Sequence, residues 1–491
     1  MHYLKKLAGQ TAIYGLSSVV PRLLNYFLIP LYTRVFLPEE YGIVTEMYAY
    51  IGFLLVFLTF GMETGYFRFA GKEKDDRAIY STAFYSLLVT STIFILIVFL
   101  FARQIVTGLG YSQNPEYVIL LSFIVGLDAF CAIPFARLRL QNRALTFSVI
   151  KIVSVLVNVL LNLFFLKILP KHPFFLQNFP QGQNLGITYV FISNVVSSSV
   201  TTILLLHFVK GFPPFLKFEK LKPLIIYSLP LLISGLGGTT NESFDRIFIK
   251  YLVPEENNPL YQLGIYGSNV KLAVLMVLFI QMYRYAAEPF FFANIDRKDS
   301  PEIYASMLKY FVAFTLLIFL GVALFTDIFK YLVGKNFREG LDVVPILLMA
   351  NLLYGIFFNL SIWYKVTNKT WYGIYYTFAG ATLTILLNII LIPRIGFYGA
   401  AVARLACYSL MCVLCIIGGN RHFPIPYDGK KILIYIGIAL LIFFICYFAP
   451  ITSIFYSYLL RVILIGFFIL FFLKNEKVFT KNFKKYSIKW R

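Results

Sequence analysis

The sequence predicts an all-α polytopic membrane protein with about fourteen transmembrane helices, and three observations support this fold class. The 491-residue chain is 59% hydrophobic and only 14% charged, whereas an average soluble domain carries about 25% charged residues. Apolar runs close to the ~20 residues that a helix needs to cross a bilayer recur along the whole chain. These runs are continuous rather than alternating, which favours helices over the strands of a membrane barrel.

The length criterion places each predicted span. The approximate ranges are 10–36, 41–63, 80–101, 116–136, 144–166, 185–208, 223–249, 262–284, 304–326, 343–364, 371–392, 396–418, 432–449 and 455–473. Every second loop is basic, and the loops between hold roughly a third as many Lys and Arg. Because basic loops face the cytoplasm, we expect both termini there. The net charge of +21 then has a membrane explanation, and no nucleic-acid partner is expected.

The five cysteines indicate neither a metal site nor a disulfide framework. All lie inside apolar runs, and they are Cys131, Cys407, Cys412, Cys415 and Cys446. The CxxC formed by Cys412 and Cys415 has no second pair and no nearby His or acid to complete a site. Buried small apolar side chains are the expected role, and the sequence predicts no cofactor.

The chain contains an internal repeat. FLPEEYGI at 36–43 resembles YLVPEE and LGIY within 251–266, after a short insertion. Helices that begin at Asn142 and Asn368 both end in Leu-Leu-Asn, and the two starting asparagines are 226 positions apart. The fifth span therefore resembles the eleventh, and the first two resemble the seventh and eighth. Six spans separate each match, so the orientation is preserved and the repeats are parallel.

The repeat predicts the domain organisation. We expect a six-helix lobe over residues 1–215, a second over 216–425, and two extra helices with a basic cytoplasmic tail over 426–491. The predicted loops are too short for a soluble catalytic domain. Two repeated helical bundles are typical of transporters, which bind substrate near mid-depth at the repeat interface and rock one bundle on the other.

Several charged residues fall inside predicted spans, where each costs about 3 kcal/mol and needs a reason. Arg22, Asp128 and Lys271 lie near mid-depth, and Lys151 lies nearer the cytoplasm. Arg404 and Arg461 lie outward of the centre, as do Glu46, Glu242 and Asp245. One interpretation is a buried ion pair, such as Arg22 with Asp128, that fixes bundle packing. The other is a water-filled cavity in which cations bind an anionic head group; its candidate substrate-binding residues are Arg22, Lys271, Lys151 and Arg404.

At the level of motifs the chain resembles a known family. The relevant segments are TRVFLPEEYGI, NESFDRIFIKYLVPEE followed by LGIYGSNVKLA, the two helices ending in Leu-Leu-Asn, and IGFYGAAVARL. Their order and topology resemble the Wzx-type oligosaccharide flippases, which are polysaccharide export proteins of the multidrug/oligosaccharidyl-lipid/polysaccharide (MOP) exporter superfamily. The resemblance covers nearly the whole chain. It implies a MATE-like fold in which two six-helix lobes form a V around a central cavity.

The resemblance also implies a function. Such a flippase translocates undecaprenyl-pyrophosphate-linked sugar units, of an O-antigen of lipopolysaccharide, a capsule or an exopolysaccharide, across the bacterial inner membrane. Arg22 and Lys271 fit the cationic cavity of the family, and Asp245, Arg246, Gly264, Tyr266 and Lys271 match its seventh–eighth span pattern. The implied partners are the lipid-linked glycan, membrane lipid and a polysaccharide polymerase or export complex. A proton or sodium gradient is the candidate driving force, and the residues considered for coupling or gating are Asp128, Glu46, Glu242, Asp245 and Arg246.

Other functional classes stay open at this point. A MATE-type drug/cation antiporter would need an acidic cavity, for which Asp128, Glu46 and Glu242 are candidates, whereas Arg22 argues against it. A lipid II flippase is similar in having fourteen helices. A membrane enzyme, such as a glycan polymerase, would need catalytic acids at an aqueous face or a sizeable outer loop, which the short loops oppose. The sequence contains no Gly-rich phosphate loop followed by Lys-Ser/Thr, so it does not indicate direct use of ATP.

Overall fold

The computed structural model describes residues 19–70, 77–171, 185–208, 217–295, 297–448 and 453–476. Regular structure within these ranges is helical throughout. The first six long helices are α1 (residues 19–26, continued after a turn by Leu28–Val35), α2 (Pro38–Thr59), α3 (Arg77–Leu100), α4 (Pro115–Leu140), α5 (Ala144–Leu163) and α6 (Leu185–Leu206).

Eight more long helices follow. They are α7 (Phe218–Leu252), α8 (Pro259–Ala293), α9 (Ser300–Leu324), α10 (Val343–Leu360), α11 (Trp371–Ile395), α12 (Phe397–His422), α13 (Gly429–Phe448) and α14 (Ile454–Asn475). Short helices extend some of them: Met62–Ala70 continues α2 beyond a kink, and Ala102–Gly108 follows α3.

The predicted spans agree with these helices. Within the described residues, thirteen helices, α2 to α14, are long and apolar enough to cross a membrane. The start of the first predicted span, residues 10–18, lies outside the described part of the chain. The main difference is in length: α8 covers 35 residues, Pro259–Ala293, and is thus longer at both ends than the span predicted over 262–284. The added residues after Arg284, YAAEPFFFA, are themselves largely apolar, and the helix continues through them to Ala293.

Packing between helices repeats with a period of six helices. α3 contacts α4 as α9 contacts α10, and α4 contacts α6 as α10 contacts α12. Likewise α5 contacts α6 as α11 contacts α12, and α2 contacts α4 as α8 contacts α10. We call α1–α6 the first repeat and α7–α12 the second repeat. The packing thus shows the parallel repeat that the sequence predicts, while α13 and α14 attach to α9.

The two repeats make close backbone contacts where α2 and α8 begin, and they also pack together at the opposite end, where Met62–Ala70 contacts the start of α7. We call the end where α2 and α8 begin the seam end, defined by the turns at residues 36–37 and 253–258. The helices cross so closely that a Cβ on Gly42 would overlap the carbonyl oxygen of Leu260, and a Cβ on Gly264 would overlap that of Pro38. Both contacts involve backbone, which cannot move aside as a flexible side chain can. The repeated Gly-Ile motif therefore holds the repeats together through reciprocal helix contacts of the small-residue kind.

Two ion pairs fasten the last two helices to the second repeat: Arg461 of α14 pairs with Asp327 just after α9, and Glu476, just after α14, contacts α9 and α13. Lys309 Nζ of α9 lies 2.5 Å from Glu476 Oε2, and the Tyr435 hydroxyl of α13 donates to Oε1 at 2.7 Å. Lys431 Nζ lies 3.6 Å from Oε1. Burial opposes ionisation of this carboxyl, but Lys309 and Tyr435 outweigh it and hold the pKa of Glu476 below its ordinary value. The ionised carboxylate therefore joins α9, α13 and α14.

We expect Glu476→Gln to loosen this attachment and to remove part of the acid sensitivity of folding. A carboxyl whose folded pKa lies below its unfolded value stabilises the folded state above about pH 4.5, and that contribution is lost as the pH falls through the folded pKa. The melting temperature in detergent should thus drop for Glu476→Gln at pH 7, with a smaller difference from wild type at pH 4. Glu302→Gln, at an exposed position on α9, is the control. A Glu476→Gln protein with wild-type melting at both pH values would contradict the anchoring role.

A cation-lined cavity between the two repeats

A cavity of about 350 Å³ lies between the two repeats. It is lined by α1, α2, α5 and α6 of the first repeat and by α7 and α8 of the second. The lining residues are Asn25, Leu28, Ile29, Tyr32, Tyr41, Val44, Thr45, Tyr48, Asn158, Asn194, Arg246, Gly267 and Lys271. Its volume is at the low end of the ~300–1,000 Å³ typical of small-molecule sites, which suits one part of a large ligand. The cavity therefore has the position that a repeat-interface transport site requires.

Two cations line this cavity, and no carboxylate is among its described lining residues. Lys271 lies twelve residues into α8, about 18 Å from the seam end at 1.5 Å per residue, and its side chain is exposed to the cavity. Arg246 lies in the last two turns of α7, and its Nε is buried without a hydrogen-bond partner in the described structure. Charge held at such depth without an acidic partner favours an anionic ligand.

The remaining polar wall is built from tyrosines and asparagines. Asn194 Nδ2 donates to the Tyr48 hydroxyl at 3.0 Å, and the Tyr32 hydroxyl donates to Asn162 Oδ1 at 2.9 Å. Asn162 Nδ2 in turn donates to Asn158 Oδ1 at 2.9 Å. These bonds orient the side chains of α1, α2, α5 and α6 around the cavity. The wall offers hydroxyl and amide groups that both donate and accept hydrogen bonds, together with aromatic faces.

A second charged group surrounds Tyr354, and we call it the Tyr354 cluster: Arg22, Glu242, Arg284 and Tyr354. Arg284 Nη1 donates to the Tyr354 hydroxyl at 3.1 Å, and Tyr354 also interacts electrostatically with Glu242 and Arg22. Arg22 is exposed and lies one turn from the cavity residue Asn25. Arg22 belongs to the first repeat and the other members to the second, so the cluster lies at the interface between the repeats.

Sequence reasoning missed Arg284, together with Tyr41, Thr45, Tyr48 and Asn194 of the cavity wall. Arg284 falls at the predicted end of a span, where a basic residue is ordinarily assigned to a cytoplasmic loop. The signal that could have found it is the apolar character of the segment after Arg284, YAAEPFFFA, which favours a longer span although Pro289 opposes it.

Arg404, a predicted substrate cation, lies in a buried ion pair. Its Nη2 is 2.7 Å from Asp245 Oδ2, and the Tyr266 hydroxyl donates to the same oxygen at 2.5 Å. Arg404 also donates to the carbonyl of Glu242. The partner of Asp245 is thus Arg404 of α12 rather than the neighbouring Arg246, whose backbone N–H alone donates to this carboxylate at 2.8 Å. These contacts join α7, α8 and α12 and leave Arg246 available to the cavity.

Asp128 and Lys151 lie together inside the first repeat. Ser198 Oγ donates to Asp128 Oδ1 at 2.8 Å, and Asp128 and Lys151 interact electrostatically. Lys151 Nζ also lies 4.2 Å from the ring centre of Phe135. Neither residue lines the cavity, and the predicted pairing of Arg22 with Asp128 is not among the ion pairs of the described residues.

Glu46 forms the centre of a buried contact between the repeats at the seam end. Its side chain is fully buried, and Lys250 Nζ of α7 lies 2.8 Å from Oε1. Lys250 also donates to the carbonyl of Leu109 at 2.5 Å, and the Tyr111 hydroxyl donates to Glu46 Oε2. The pair thus connects α2 and the segment after α3 to the second repeat. We call Glu46, Lys250 and Tyr111 the latch.

A six-helix repeat packed twice around a polar, cation-lined cavity defines the class of polytopic membrane transporters. The model of the polysaccharide biosynthesis protein family matches residues 7–294, more than half of the chain, and the chain belongs to this family. The search of curated proteins found no match to this chain. Family membership agrees with the motif resemblance described above.

Solved structures share the fold. The lipid II flippase MurJ, in an inward closed conformation, is 15% identical with a TM-score of 0.73, covering 94% of this chain and 99% of its own. An inward-facing multidrug resistance MATE transporter of the MOP superfamily is 13% identical with a TM-score of 0.60, covering 82% of this chain and 94% of its own. A mutant of the Vibrio cholerae MATE transporter VcmN is 13% identical with a TM-score of 0.58, covering 85% of this chain and 97% of its own. The predicted all-α, MATE-like fold is confirmed.

Proposed function

We propose that this protein flips a polyprenyl-pyrophosphate-linked oligosaccharide, of the kind used to build O-antigen, capsule or exopolysaccharide, across the bacterial cytoplasmic membrane. The observation that carries the proposal is the cavity between the repeats, with Arg246 and Lys271 on its wall and no described carboxylate among its lining residues. Membership of the polysaccharide biosynthesis family supports a glycan as cargo.

The packing of the repeats supports alternating access. At the seam end, the glycine contacts of α2 with α8 and the latch between α2 and α7 hold the repeats together. We propose that the seam end faces outward, that both termini are cytoplasmic, and that the substrate enters from the opposite end. The pyrophosphate would then meet Arg22 and Arg284, while the polyprenyl chain stays in lipid between the repeats. Separation of the repeats at the seam would release the head group outward.

We propose a proton or sodium gradient as the driving force, with Glu242 and Asp128 as the coupling carboxylates. Glu242 is exposed within the Tyr354 cluster, and Asp128 is held by Ser198 near Lys151. Flipping should accelerate when an inward-directed gradient is imposed on proteoliposomes, and Glu242→Gln or Asp128→Asn should remove that acceleration. Equal rates with and without a gradient would eliminate this part of the proposal.

The direct test is transbilayer movement of a fluorescent polyprenyl-pyrophosphate oligosaccharide in proteoliposomes, comparing wild type with Arg22→Ala. A charge-assisted hydrogen bond contributes about 1.5–3 kcal/mol, so we expect flipping to slow by roughly 10- to 100-fold. Arg421→Ala, at an exposed position at the end of α12, is the matched control and should flip at the wild-type rate.

The alternatives give different outcomes in the same vesicles. Movement of lipid II but not of the sugar-linked lipid would favour a lipid II flippase, which the shared fold with MurJ makes a specific alternative. Uptake of an organic cation without movement of either lipid would favour a MATE-type antiporter. Flipping that is unaffected by Arg22→Ala, in a folded protein, would keep the flippase and make Arg22 structural.

A further inference from the structure

The segment between α9 and α10 crosses from the second repeat to the first at the seam end. The Gly334 N–H donates to Thr33 Oγ1 of α1 at 2.9 Å, and the Phe337 ring packs edge-on against Tyr41 of α2 with ring centres 5.7 Å apart. On its own side, Asn269 Nδ2 of α8 donates to the Phe337 carbonyl at 2.9 Å. The segment is thus fixed to both repeats, and separation of the repeats at the seam end must break its contacts with α1 and α2.

Cations from both repeats converge on Tyr331 of this segment. Arg34 Nη2, at the end of α1, donates to the Tyr331 carbonyl at 3.1 Å, and Arg338 Nε donates to the Lys330 carbonyl at 3.2 Å. The two carbonyls belong to consecutive residues, whose Cα atoms lie ~3.8 Å apart, so the two guanidinium groups are neighbours. Lys330 Nζ and Arg338 Cζ lie 5.6 and 5.2 Å from the centre of the Tyr331 ring. We call Arg34, Lys330, Tyr331 and Arg338 the seam patch.

The positive charge of the seam patch has no ion-pair partner. None of its three cations forms an ion pair within the part of the chain that the structure describes. Acids close by along the chain have other partners, since Asp327 pairs with Arg461 and Glu339 is hydrogen-bonded by Tyr261. Like charges that meet across an interface repel each other. An anion between these cations would therefore favour the contact of the two repeats.

Exposed apolar side chains border the seam patch, and they indicate a lipid rather than a free anion. Val35 and Leu37 are 43% and 56% exposed, and Ile328 is 53% exposed. The Tyr331 ring is 62% exposed. These residues lie where α1 ends and α2 begins, and just after α9, which is the level at which a membrane helix meets the polar head groups. A phospholipid can use the cations and the apolar border together, whereas inorganic phosphate can use the cations alone.

We infer that the seam patch binds the phosphate head group of an anionic phospholipid from the leaflet at the seam end. Arg34 of the first repeat and Arg338 of the second contact the phosphate, for which the planar guanidinium group is well suited. Lys330 adds positive charge, and the acyl chains lie along Val35 and Ile328. Because the head group contacts both repeats, it stabilises the closed seam. Opening of the seam then depends on lipid composition, a regulation that goes beyond the transport function proposed above.

The first test measures binding to the purified full-length protein by native mass spectrometry. The protein is titrated with phosphatidylglycerol, and phosphatidylcholine is the neutral reference. We expect phosphatidylglycerol to bind more tightly, and Arg34→Gln or Arg338→Gln to weaken its tightest binding by about tenfold or more. Arg394→Gln is the matched control, because Arg394 is exposed near the end of α11, at the same end of the molecule. Arg34→Lys keeps the charge and should keep most of the affinity.

The second test measures opening of the seam. Thr45→Cys places a thiol in the cavity wall, and its labelling by a membrane-impermeant reagent reports access from the seam end. We expect labelling to be at least about fivefold slower in phosphatidylglycerol vesicles than in phosphatidylcholine vesicles. Adding Arg34→Gln should remove this difference, and adding Arg394→Gln should preserve it. Neither test uses the transported substrate, so both are independent of the flippase proposal.

Three results would overturn the inference. Equal binding of the two lipids, or a preference that both glutamine variants retain, would show that the seam patch is not the site. Displacement of phosphatidylglycerol by inorganic phosphate would identify a free-anion site and contradict the assignment to a lipid. Tight phosphatidylglycerol binding with the same labelling rate in both kinds of vesicle would show that the bound lipid does not control the seam.

Discussion

Alanine at Gly264 should open the seam between the two repeats. In an ordinary helix, Gly→Ala is stabilising by up to about 1 kcal/mol. Here the new Cβ would overlap the carbonyl oxygen of Pro38, and overpacking against rigid structure typically costs about 1–3 kcal/mol. That cost falls on the arrangement in which α2 and α8 are in contact, so the equilibrium should shift toward separated repeats. A shift of this size changes populations by roughly 5- to 150-fold.

The shift is measurable as accessibility from the outer side of the membrane. A cysteine introduced as Thr45→Cys lines the cavity just below the seam, and a membrane-impermeant thiol reagent should label it slowly in the otherwise wild-type protein. Gly264→Ala should accelerate labelling at least about fivefold, and Gly42→Ala should act similarly because it would overlap the carbonyl of Leu260.

Gly52→Ala is the matched control, because it lies on α2 with no neighbouring atom within 4 Å of the added Cβ. Its labelling rate should equal that of the parent protein. If Gly264→Ala and Gly52→Ala label alike, the seam does not depend on the close contact of α2 with α8, and the proposed outward opening would need another hinge.

Breaking the latch should have the largest effect on stability. Glu46 is fully buried, and Lys250 lies 2.8 Å away with 11% of its side chain exposed. Removing one partner of a buried ion pair leaves the other charge uncompensated and costs about 3–5 kcal/mol. We therefore expect Lys250→Met to lower the melting temperature in detergent strongly, and Glu46→Gln to do so as well. Flipping should fall in both variants through loss of folded protein.

The double variant Glu46→Gln/Lys250→Met separates charge from packing. The double variant leaves no buried charge without a partner, so it should be more stable than Lys250→Met alone. Asp299→Asn is the control, since the Arg297–Asp299 pair is more than half exposed and such pairs contribute little. Additive losses in the double variant would show that Glu46 and Lys250 act independently and are not a latch.

Much of the architecture was predictable because its signals lie in consecutive residues of the sequence. Bilayer thickness sets the length of an apolar run, so the spans could be placed from hydropathy alone. The internal repeat was visible in the Pro-Glu-Glu and Leu-Leu-Asn motifs, and the helix packing repeats with the same period. Arg22 and Lys271 were recognised because a charge inside an apolar run needs a reason, whereas Arg246 was noted only through the family motif, as a candidate for coupling or gating. Their positions at the repeat interface agree with the cation-lined interpretation.

The assignment of partners was a different matter. The sequence singled out Asp245, Arg246, Glu46 and Arg404. It did not show that Arg404 pairs with Asp245 or that Lys250 pairs with Glu46. It also offered Arg22 with Asp128, two residues that the fold places in different surroundings. In each case the deciding quantity is the rotation of one helix about its axis and its crossing angle with another.

By itself, then, the sequence determined where the apolar helices lie, the duplicated six-helix plan and the family, because these follow from hydrophobic length and from motifs along one chain. Only the tertiary structure decided which charges are paired and which face the cavity, and that Arg284 and Arg22 both lie near Tyr354. The physical reason is that the neighbours of a charged side chain decide whether its charge is neutralised. A guanidinium beside a buried carboxylate is neutralised, and the same group one helix face away is available to an anion.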